Sequence, residues 1–228
     1  MSKPFKVAII GGGIAGITLA IALHHRNIPV TIYEQAREFG EVGAGVSFSP
    51  NAVQAMKACH HGVYEAYENV CTRNLWESKQ NVWFDYLDGY TTHVSGQQDI
   101  AFTIRNGMGQ SGVHRAHFLD EMVKLIPLEI ARFHKHLVDV TERSRDGKLV
   151  MHFSDGATDE ADLVIGCDGI KSRVRELLVG EGHPAAVPSF THKYAYRGLV
   201  PMDKAVEAIG EELALNSCMH VRFSSPVF

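Results

Sequence analysis

The sequence is short of cysteine, of long apolar runs and of any large excess of charge, and each shortage narrows the classes of protein to consider. Its four cysteines, Cys59, Cys71, Cys167 and Cys218, form no C-x-x-C pair, so we expect free thiols rather than disulfides. No run of about 18 apolar residues occurs, and no membrane-spanning helix is predicted. The net charge is only −4, which argues against nucleic acid as the main partner.

Metal-binding frames and repeats are also missing from the sequence. Thirteen histidines occur, but none stands in an H-E-x-x-H or similar frame, and we interpret them as surface and core-edge residues. The composition, 45% hydrophobic and 21% charged residues, is typical of a soluble globular enzyme. Because the first predicted strand begins soon after residue 4, no room is left for a signal peptide, and a cytoplasmic location is expected.

The first 34 residues contain a complete dinucleotide-binding pattern. Residues 6–10 form a short β-branched run that predicts a buried parallel strand, and a helix is predicted from about Ile14. Between them the glycines have G-x-G-x-x-G spacing: the first permits the tight turn, the second lets the backbone approach a pyrophosphate, and the third lets the helix pack on the sheet. The helix N-terminus then faces the phosphates. The predicted cofactor-binding positions here are Gly11, Gly13, Ala15 and Gly16.

A carboxylate closes the second strand of this unit. Residues 30–33 are predicted as a strand, and Glu34 follows directly. A carboxylate at this point accepts hydrogen bonds from a ribose diol and repels a 2′-phosphate. The site is therefore predicted to hold FAD or NAD rather than NADP. An empty structural βαβ unit is the alternative.

A second glycine-rich loop, with Gly43-Ala44-Gly45 and Ser47, follows and ends at a capped helix start near Asn51. An NAD-binding domain has no evident need of this loop, whereas FAD is long enough to use it. The alternative is an ordinary turn. A helix over 114–125 places Arg115 in its first turn, where a cation is unfavourable for the helix dipole. A ligand phosphate or carboxylate is thus suspected there, with a plain surface arginine as the alternative.

Strand patterns occupy much of the remaining chain. Strands are predicted at 82–87 and 100–104, and residues 106–112 are interpreted as a glycine-rich link. Asp146-Gly147 predicts a hairpin between two further strands. One strand over 161–166 is expected to run into Asp168-Gly169 and a helix that ends near Leu178. Asp168 is either a cofactor-site residue or an Asx-turn residue. Residues 190–199 alternate like a strand that contains Arg197, and another helix is expected to start at 200–203.

Taken together, these residues resemble the FAD-dependent aromatic-ring monooxygenases, the salicylate- and phenol-hydroxylase-like group A flavoproteins. In this order the matching elements are far more specific than any one of them alone. They are the glycine turn with Glu34, then Arg115 after the 41–45 loop, then Gly166-Cys167-Asp168-Gly169 with Ser172 and Arg173-Val174-Arg175.

The resemblance implies roles for particular residues. Glu34 would bind the adenosine ribose, the backbone near Ser47 and the side chain of Arg115 would contact FAD, and Asp168 would support the fold and the flavin and nicotinamide contacts. Position 47 usually carries Gly or Ala in relatives, and Ser is small enough for the same contact. NAD(P)H would reduce the flavin, and O₂ would then be used to hydroxylate a small aromatic substrate. Arg197 is the candidate for holding an anionic aromatic substrate, with a structural arginine as the alternative.

The implied fold class is α/β: a Rossmann-like FAD-binding domain with three layers (ββα/βαβ) and an incomplete mixed β-sheet substrate domain. We predict the FAD-binding domain at 1–70 and 111–182 and the partial substrate domain at 71–110 and 183–228. The second FAD motif of relatives, a Gly-Asp pair before a long helix, does not occur after Arg197, and no further strand is predicted in 222–228.

This departure is interpreted as truncation, a splice variant or a mispredicted gene model, and we expect weak flavin retention and little hydroxylation from this chain alone. Exposed apolar strand faces would then invite aggregation. Two alternatives to a monooxygenase remain open at this point. One is a non-catalytic FAD- or nucleotide-binding remnant, and the other is an NAD-linked dehydrogenase.

Overall fold

The chain divides into two compact units. The first contains residues Met1–Gly43, Ala55–Asn69 and Arg115–Tyr196, and the second contains the three intervening and following segments, Ala44–Gln54, Val70–His114 and Arg197–Phe228. The structure, a computed structural model, describes residues 5–40, 45–88, 100–192, 194 and 198–221.

A four-stranded parallel sheet forms the centre of the first unit. Its order is β12-β1-β2-β8, and its strands are β1 (Val7–Ile10), β2 (Val30–Tyr33), β8 (Ala131–Arg132) and β12 (Leu163–Gly166). All four residues of β1 are buried, as expected of a central strand that is covered on both faces. The predicted βαβ pattern of strand, helix and second strand is confirmed.

Five described α-helices have residues in this unit: α1 (Ile14–His24), α2 (Pro50–Cys59), α3 (His61–Val70), α4 (Arg115–Val123) and α5 (Arg173–Val179). In α1 the buried residues include Ile17 and Ile21, and in α4 they include Phe118 and Met122, at the spacing of one helical face. After α1 the chain turns at Asn27, whose φ of 57° lies in the left-handed region that Asn tolerates.

A second, antiparallel sheet has the order β11-β10-β9, with strands β9 (Leu137–Arg143), β10 (Lys148–Phe153) and β11 (Thr158–Ala161). The hairpin predicted at Asp146-Gly147 is confirmed, and Gly147 has the positive φ, 68°, that such a turn requires. Met151 and Phe153 share one apolar cluster with Tyr33, whose ring stacks on that of Phe153 at 5.0 Å. The two sheets and the helices together give the three-layer fold that the resemblance implies.

The single strand predicted over 161–166 is wrong, because Asp162 divides it. β11 pairs antiparallel with β10, whereas β12 pairs parallel with β1. One carboxylate oxygen of Asp162 accepts the backbone N–H of Lys6 at 2.8 Å, and the other accepts from Lys148 Nζ. The carboxylate therefore joins the start of β1 to β10 at the point where the chain changes sheets. Asp168 follows β12, and α5 (Arg173–Val179) begins soon after it.

Among its described residues, the second unit contains two three-stranded sheets and two complete α-helices, and it shares α2 with the first unit. The first sheet has the order β3-β7-β4 and the second has the order β13-β5-β6. The strands predicted at 82–87 and 100–104 are confirmed, and so is the helix expected near 200–203. The elements are β3 (Gly45–Ser47), β4 (Cys71–Arg73), β5 (Val82–Asp88), β6 (Ile100–Arg105), β7 (Ser111–His114), β13 (Cys218–Val221), α6 (Met202–Ile209) and α7 (Glu211–Leu215).

Three expectations for the second unit and its flanks need correction or lie outside the described residues. The link predicted at 106–112 contains the start of β7, which pairs with β3 and β4. Within 190–199 the described residues 190–192, 194, 198 and 199 carry no strand. The loop residues 41–44, Tyr196, Arg197 and the tail 222–228 are outside the part of the chain that is described. Among the described helices none is long and apolar enough to span a membrane.

A histidine caps the N-terminus of α3 in the first unit. His60 Nδ1 accepts the backbone N–H of Gly62 at 3.1 Å, and the ring stacks on that of His25 at 4.1 Å. Burial, followed by the nearby charges of His25, Arg26 and His61, lowers the pKa of His60 below its usual value. A proton on Nδ1 would remove the acceptor and place a positive charge at a helix N-terminus, so the cap requires the neutral ring.

We expect this cap to make the protein less stable in mild acid. Because the folded His60 binds fewer protons than the unfolded one, its contribution is present above the unfolded pKa near 6.5 and is lost as pH falls through the lower folded pKa. His60→Asn keeps an acceptor that does not titrate, so its urea midpoint should fall less between about pH 7.5 and pH 5.5 than that of the wild type. His192→Asn is the control, because His192 is exposed and its φ of 59° suits Asn, and its urea midpoint should change with pH as that of the wild type does. If the urea midpoints of the wild type and His60→Asn fall equally between these pH values, the assignment of neutral His60 as the cap of α3 is contradicted.

Candidate functional site

A cleft of about 530 Å³ lies in the first unit at the carboxyl ends of β1, β2 and β12. This edge is where open α/β sheets bind ligands, because the loops that leave parallel strands meet there. The volume is within the range of small-molecule sites. Its lining includes Gly11, Gly12, Gly13, Glu34, Gln35, Phe39, Arg115, Lys135, His136, Cys167 and Asp168.

Two glycines of the first turn stand where no larger side chain fits. Gly11 has a φ of 104°, and a Cβ on it would lie 2.4 Å from the carbonyl oxygen of Cys167. A Cβ on Gly16 would lie 2.0 Å from the carbonyl oxygen of Gly11 and 3.3 Å from Ile9 Cγ2. Contacts below 3.0 Å to backbone atoms cannot be relieved by a rotamer change. The turn and the start of α1 are therefore held close together at the sheet.

The N-terminus of α1 opens at the cleft without a protein side chain to cap it. Gly13 is its N-cap residue, has extended backbone and supplies no side-chain hydrogen bond, and the first turn contains no acidic residue. The first N–H groups of a helix have no intrahelical partner, and the helix dipole makes this end positive. Ala15 is exposed in this first turn, and Gly16 is buried. Such an end suits an anionic group such as a pyrophosphate.

Glu34 is half-buried at the end of β2, and its carboxylate is fixed by two backbone N–H groups. Oε2 accepts from Gly12 at 2.6 Å, and Oε1 accepts from Ala36 at 2.7 Å. A carboxylate oxygen has two acceptor positions, so each oxygen keeps one for a further donor. The carboxylate is thus oriented beside the glycine turn and can still accept hydrogen bonds from a vicinal diol.

Asp168 lies after β12 and directs both carboxylate oxygens to the start of α5. Oδ1 accepts from Ser172 Oγ at 2.6 Å, and Oδ2 accepts from the backbone N–H groups of Arg173 and Val174 at 2.7 and 3.1 Å. Burial, followed by the charge of Asp168, raises the pKa of the neighbouring Cys167 thiol. These contacts agree with a fold-supporting role for Asp168, while its contact with a cofactor stays a prediction.

The other predicted site residues are distributed over both units. Arg115 is exposed, is the first residue of α4 and lines the cleft. Ser47 lies on β3 in the second unit, where it is exposed and its Oγ accepts from Gln110 Nε2 at 3.0 Å. Arg197 is outside the described residues. The structure therefore brings Gly11, Gly13, Glu34, Arg115 and Asp168 to one cleft.

Sequence reasoning missed one wall of the cleft, which comes from the segment before β9. The backbone N–H of Lys135 donates to the carbonyl of Glu34 at 2.9 Å, and His134 donates to the carbonyl of Ala36 at 3.0 Å. His136 Nδ1 lies 3.0 Å from Gln35 Oε1. No motif marks this segment, and its one signal is its position just before a predicted strand. Phe39, which also lines the cleft, was likewise not singled out.

The residues present fit a dinucleotide that carries a ribose diol and a pyrophosphate. The fit rests on the uncapped start of α1, the glycine turn that a Cβ would obstruct, and the two acceptor positions left on Glu34. The parallel sheet with these features defines the dinucleotide-binding class of α/β proteins.

The family within this class is shown by comparison. Residues 4–185 match the model of the FAD binding domain family, and the chain belongs to that family. FAD is therefore the cofactor of this family's fold, which decides against the NAD-linked dehydrogenase.

The chain is 50% identical over 218 residues to the FAD-dependent monooxygenase pigN of Monascus ruber. The aligned region covers 94% of this chain and 49% of pigN. The chain is 47% identical over 221 residues to 6-methylsalicylate 1-monooxygenase atA of Aspergillus terreus, covering 96% of this chain and 49% of that protein. A solved salicylate hydroxylase substrate complex is 36% identical with a TM-score of 0.74 and covers 96% of this chain and 50% of its own. The chain thus spans about half the length of the relatives it matches.

Proposed function

We propose that the chain supplies the FAD-binding part of a monooxygenase that hydroxylates an aromatic compound, phenolic or aryl-carboxylate, with NAD(P)H and O₂. The observation that carries this proposal is the carboxylate of Glu34, held by Gly12 beside an uncapped helix start in a chain of the FAD binding domain family. The aromatic substrate class is supported by the names of two relatives, a 6-methylsalicylate 1-monooxygenase and a salicylate hydroxylase.

Each residue at the cleft has a definite task in this proposal. Glu34 accepts hydrogen bonds from the adenosine ribose, while the turn at Gly11 and the N–H groups of α1 hold the pyrophosphate. Arg115 balances an anionic group of the cofactor, and Asp168 holds α5 so that the turn before it keeps its place at the cleft. FAD, when bound, supplies the redox chemistry between NAD(P)H and O₂.

The remaining assignments concern the second unit and the setting of the protein. The backbone near Ser47 contacts FAD, and Arg197 holds an anionic substrate through its guanidinium group. The FAD-binding domain occupies 1–70 and 111–182, and the part of the substrate domain present here occupies 71–110 and 183–228. The protein acts in the cytoplasm on a small aromatic molecule and needs no nucleic acid.

Flavin loading tests the proposal. Purified protein is mixed with FAD, passed through gel filtration, and examined by its absorption spectrum. Glu34→Gln keeps the size of the side chain and one acceptor but loses the charge that strengthens hydrogen bonds from a diol. We expect the wild type to bind FAD but to retain it weakly on the column, and Glu34→Gln to bind it about ten-fold more weakly or worse, as the loss of charge-assisted hydrogen bonds predicts. Glu207→Gln is the matched control, since Glu207 is exposed on α6 and does not line the cleft.

The catalytic part of the proposal is tested on the loaded protein. NADH or NADPH oxidation is followed with salicylate and with 6-methylsalicylate, and the hydroxylated product is sought by chromatography. Product formed in step with oxidation supports a monooxygenase. Such coupled product, even in a small amount, would rule out the non-catalytic binding remnant. A wild-type chain that cannot be loaded with FAD would contradict the proposal at its first step.

A further inference from the structure

Phe39 is an aromatic residue in an exposed loop, yet its ring is held in place from two sides. Its ring and that of Phe133 have centroids 4.8 Å apart in an edge-to-face arrangement, at an interplanar angle of 77°. Its Cε1 lies 2.7 Å from where a Cβ on Gly12 would stand, so the ring packs directly on that glycine. The adjacent residues, Glu38 and Gly40, are exposed. A side chain fixed in this way offers a preformed surface.

This surface lies beside the proposed ribose site. A Cβ on Gly12 would also lie 3.1 Å from Glu34 Oε2, so this one glycine lies against both the aromatic ring and the carboxylate. Phe39 is half-buried and lines the cleft. A base is joined directly to the sugar whose diol Glu34 would bind, so the base must lie within a few ångströms of that carboxylate. Phe39 is therefore within reach of the base.

The chemistry of the neighbouring wall also suits a purine. Gln35 and His136 line the cleft, and their side chains are hydrogen-bonded to each other at 3.0 Å. They place amide and imidazole groups where the polar edge of a base can find partners. An aromatic ring provides the other half of such a site, since the flat face of a base stacks on it.

We propose that Phe39, supported by Phe133, is the stacking surface for the adenine of the cofactor and makes the site prefer a purine. The inference rests on the proposed FAD site and assigns the residue that selects the base. It does not concern the flavin end. Consequently it applies equally to ADP, which contains the adenine, the ribose and the pyrophosphate but no flavin.

The test compares ADP with UDP, which shares the ribose diphosphate but carries a smaller pyrimidine. Calorimetry gives the dissociation constants for the wild type, Phe39→Leu and Phe39→Tyr. Leu keeps the apolar character and much of the volume, whereas Tyr keeps the ring. Loss of a base–aromatic stack predicts that Phe39→Leu weakens ADP binding about five-fold or more and narrows the preference for ADP over UDP. Phe39→Tyr should restore both. Phe5→Leu, at an exposed phenylalanine before β1, is the control and should change neither.

The outcomes separate this inference from the proposed function. If Phe39→Leu weakens ADP and UDP equally, or weakens neither, while flavin loading remains, Phe39 only packs the loop and the inference is overturned. If the wild type retains FAD but binds ADP no better than UDP, base selection at this site is likewise overturned. If the wild type binds neither FAD nor ADP, the proposed function fails and the inference fails with it.

Discussion

Gly16→Ala is expected to destabilise the first unit by about 3 kcal/mol or more and to abolish flavin loading. The new Cβ would lie 2.0 Å from the carbonyl oxygen of Gly11 and would also press on Ile9, a fully buried residue of the central strand. Neither contact ends in a flexible side chain, so α1 would have to move away from the sheet. That movement would displace the same N–H groups that are proposed to hold the pyrophosphate. The urea midpoint and the flavin retained after gel filtration measure the two effects.

The matched control for this substitution is Gly107→Ala. Gly107 is exposed, and a Cβ on it would meet no atom within 4 Å. Its substitution should change stability by no more than about 0.5 kcal/mol, as expected for a surface position without special contacts. A Gly16→Ala protein that unfolds at the wild-type midpoint would show that the start of α1 can move freely. The close packing described for the glycine turn would then not be needed for the fold.

The parts of the fold that the sequence predicted are those whose signal is local. Strand, glycine turn, helix and second strand follow one another within 34 residues, and each is marked by its own apolar period or cap. The 161–166 segment shows the limit of such reasoning. The composition predicts one continuous strand, but Asp162 is hydrogen-bonded to Lys6, which is far away in sequence, and to Lys148 at the start of β10.

The strands that were missed depend on distant partners. The glycines of 106–112 predict a link, because glycine has low strand propensity, whereas β7 forms because β3 and β4 pair with its two edges. β13 pairs parallel with β5 from the far end of the described chain. Pairing between remote segments overrides local propensity, and a single sequence does not display it.

The residues of the candidate site likewise divide into those that a local sequence signal predicts and those that only the folded structure brings to the cleft. Gly11, Gly13, Glu34 and Asp168 could be predicted because a turn or a strand end fixes where each of them lies. Lys135 and His136 could not, since backbone hydrogen bonds to residues 34 and 36, and the contact of His136 with Gln35, hold their segment at the cleft. Phe39 required the three-dimensional contact with Gly12, which no spacing rule contains.

Asp168→Ala is the second substitution with a large expected effect, about 2 kcal/mol of destabilisation. It removes the acceptor of two backbone N–H groups and of the Ser172 hydroxyl at the start of α5. Hydrogen bonds to charged acceptors and helix caps have contributions of this size. The backbone N–H groups of Arg173 and Val174 would lose their carboxylate partner. Asp120→Ala, at an exposed position on α4, is the control and should leave the urea midpoint nearly unchanged.

A graded series can separate the two roles considered for Asp168. Ser172→Ala removes part of the same cap, because Ser172 Oγ also accepts the N–H of Arg175 at 2.9 Å, but it leaves the carboxylate in place. Asp168→Asn keeps one acceptor oxygen and loses the charge. If Asp168 acts only by holding α5, the FAD affinity of both variants should fall in proportion to their loss of stability. If the carboxylate also contacts the cofactor, Asp168→Asn loses more FAD affinity than its loss of stability explains, whereas Ser172→Ala does not. Titration of each variant with FAD, together with its urea midpoint, decides between the two roles.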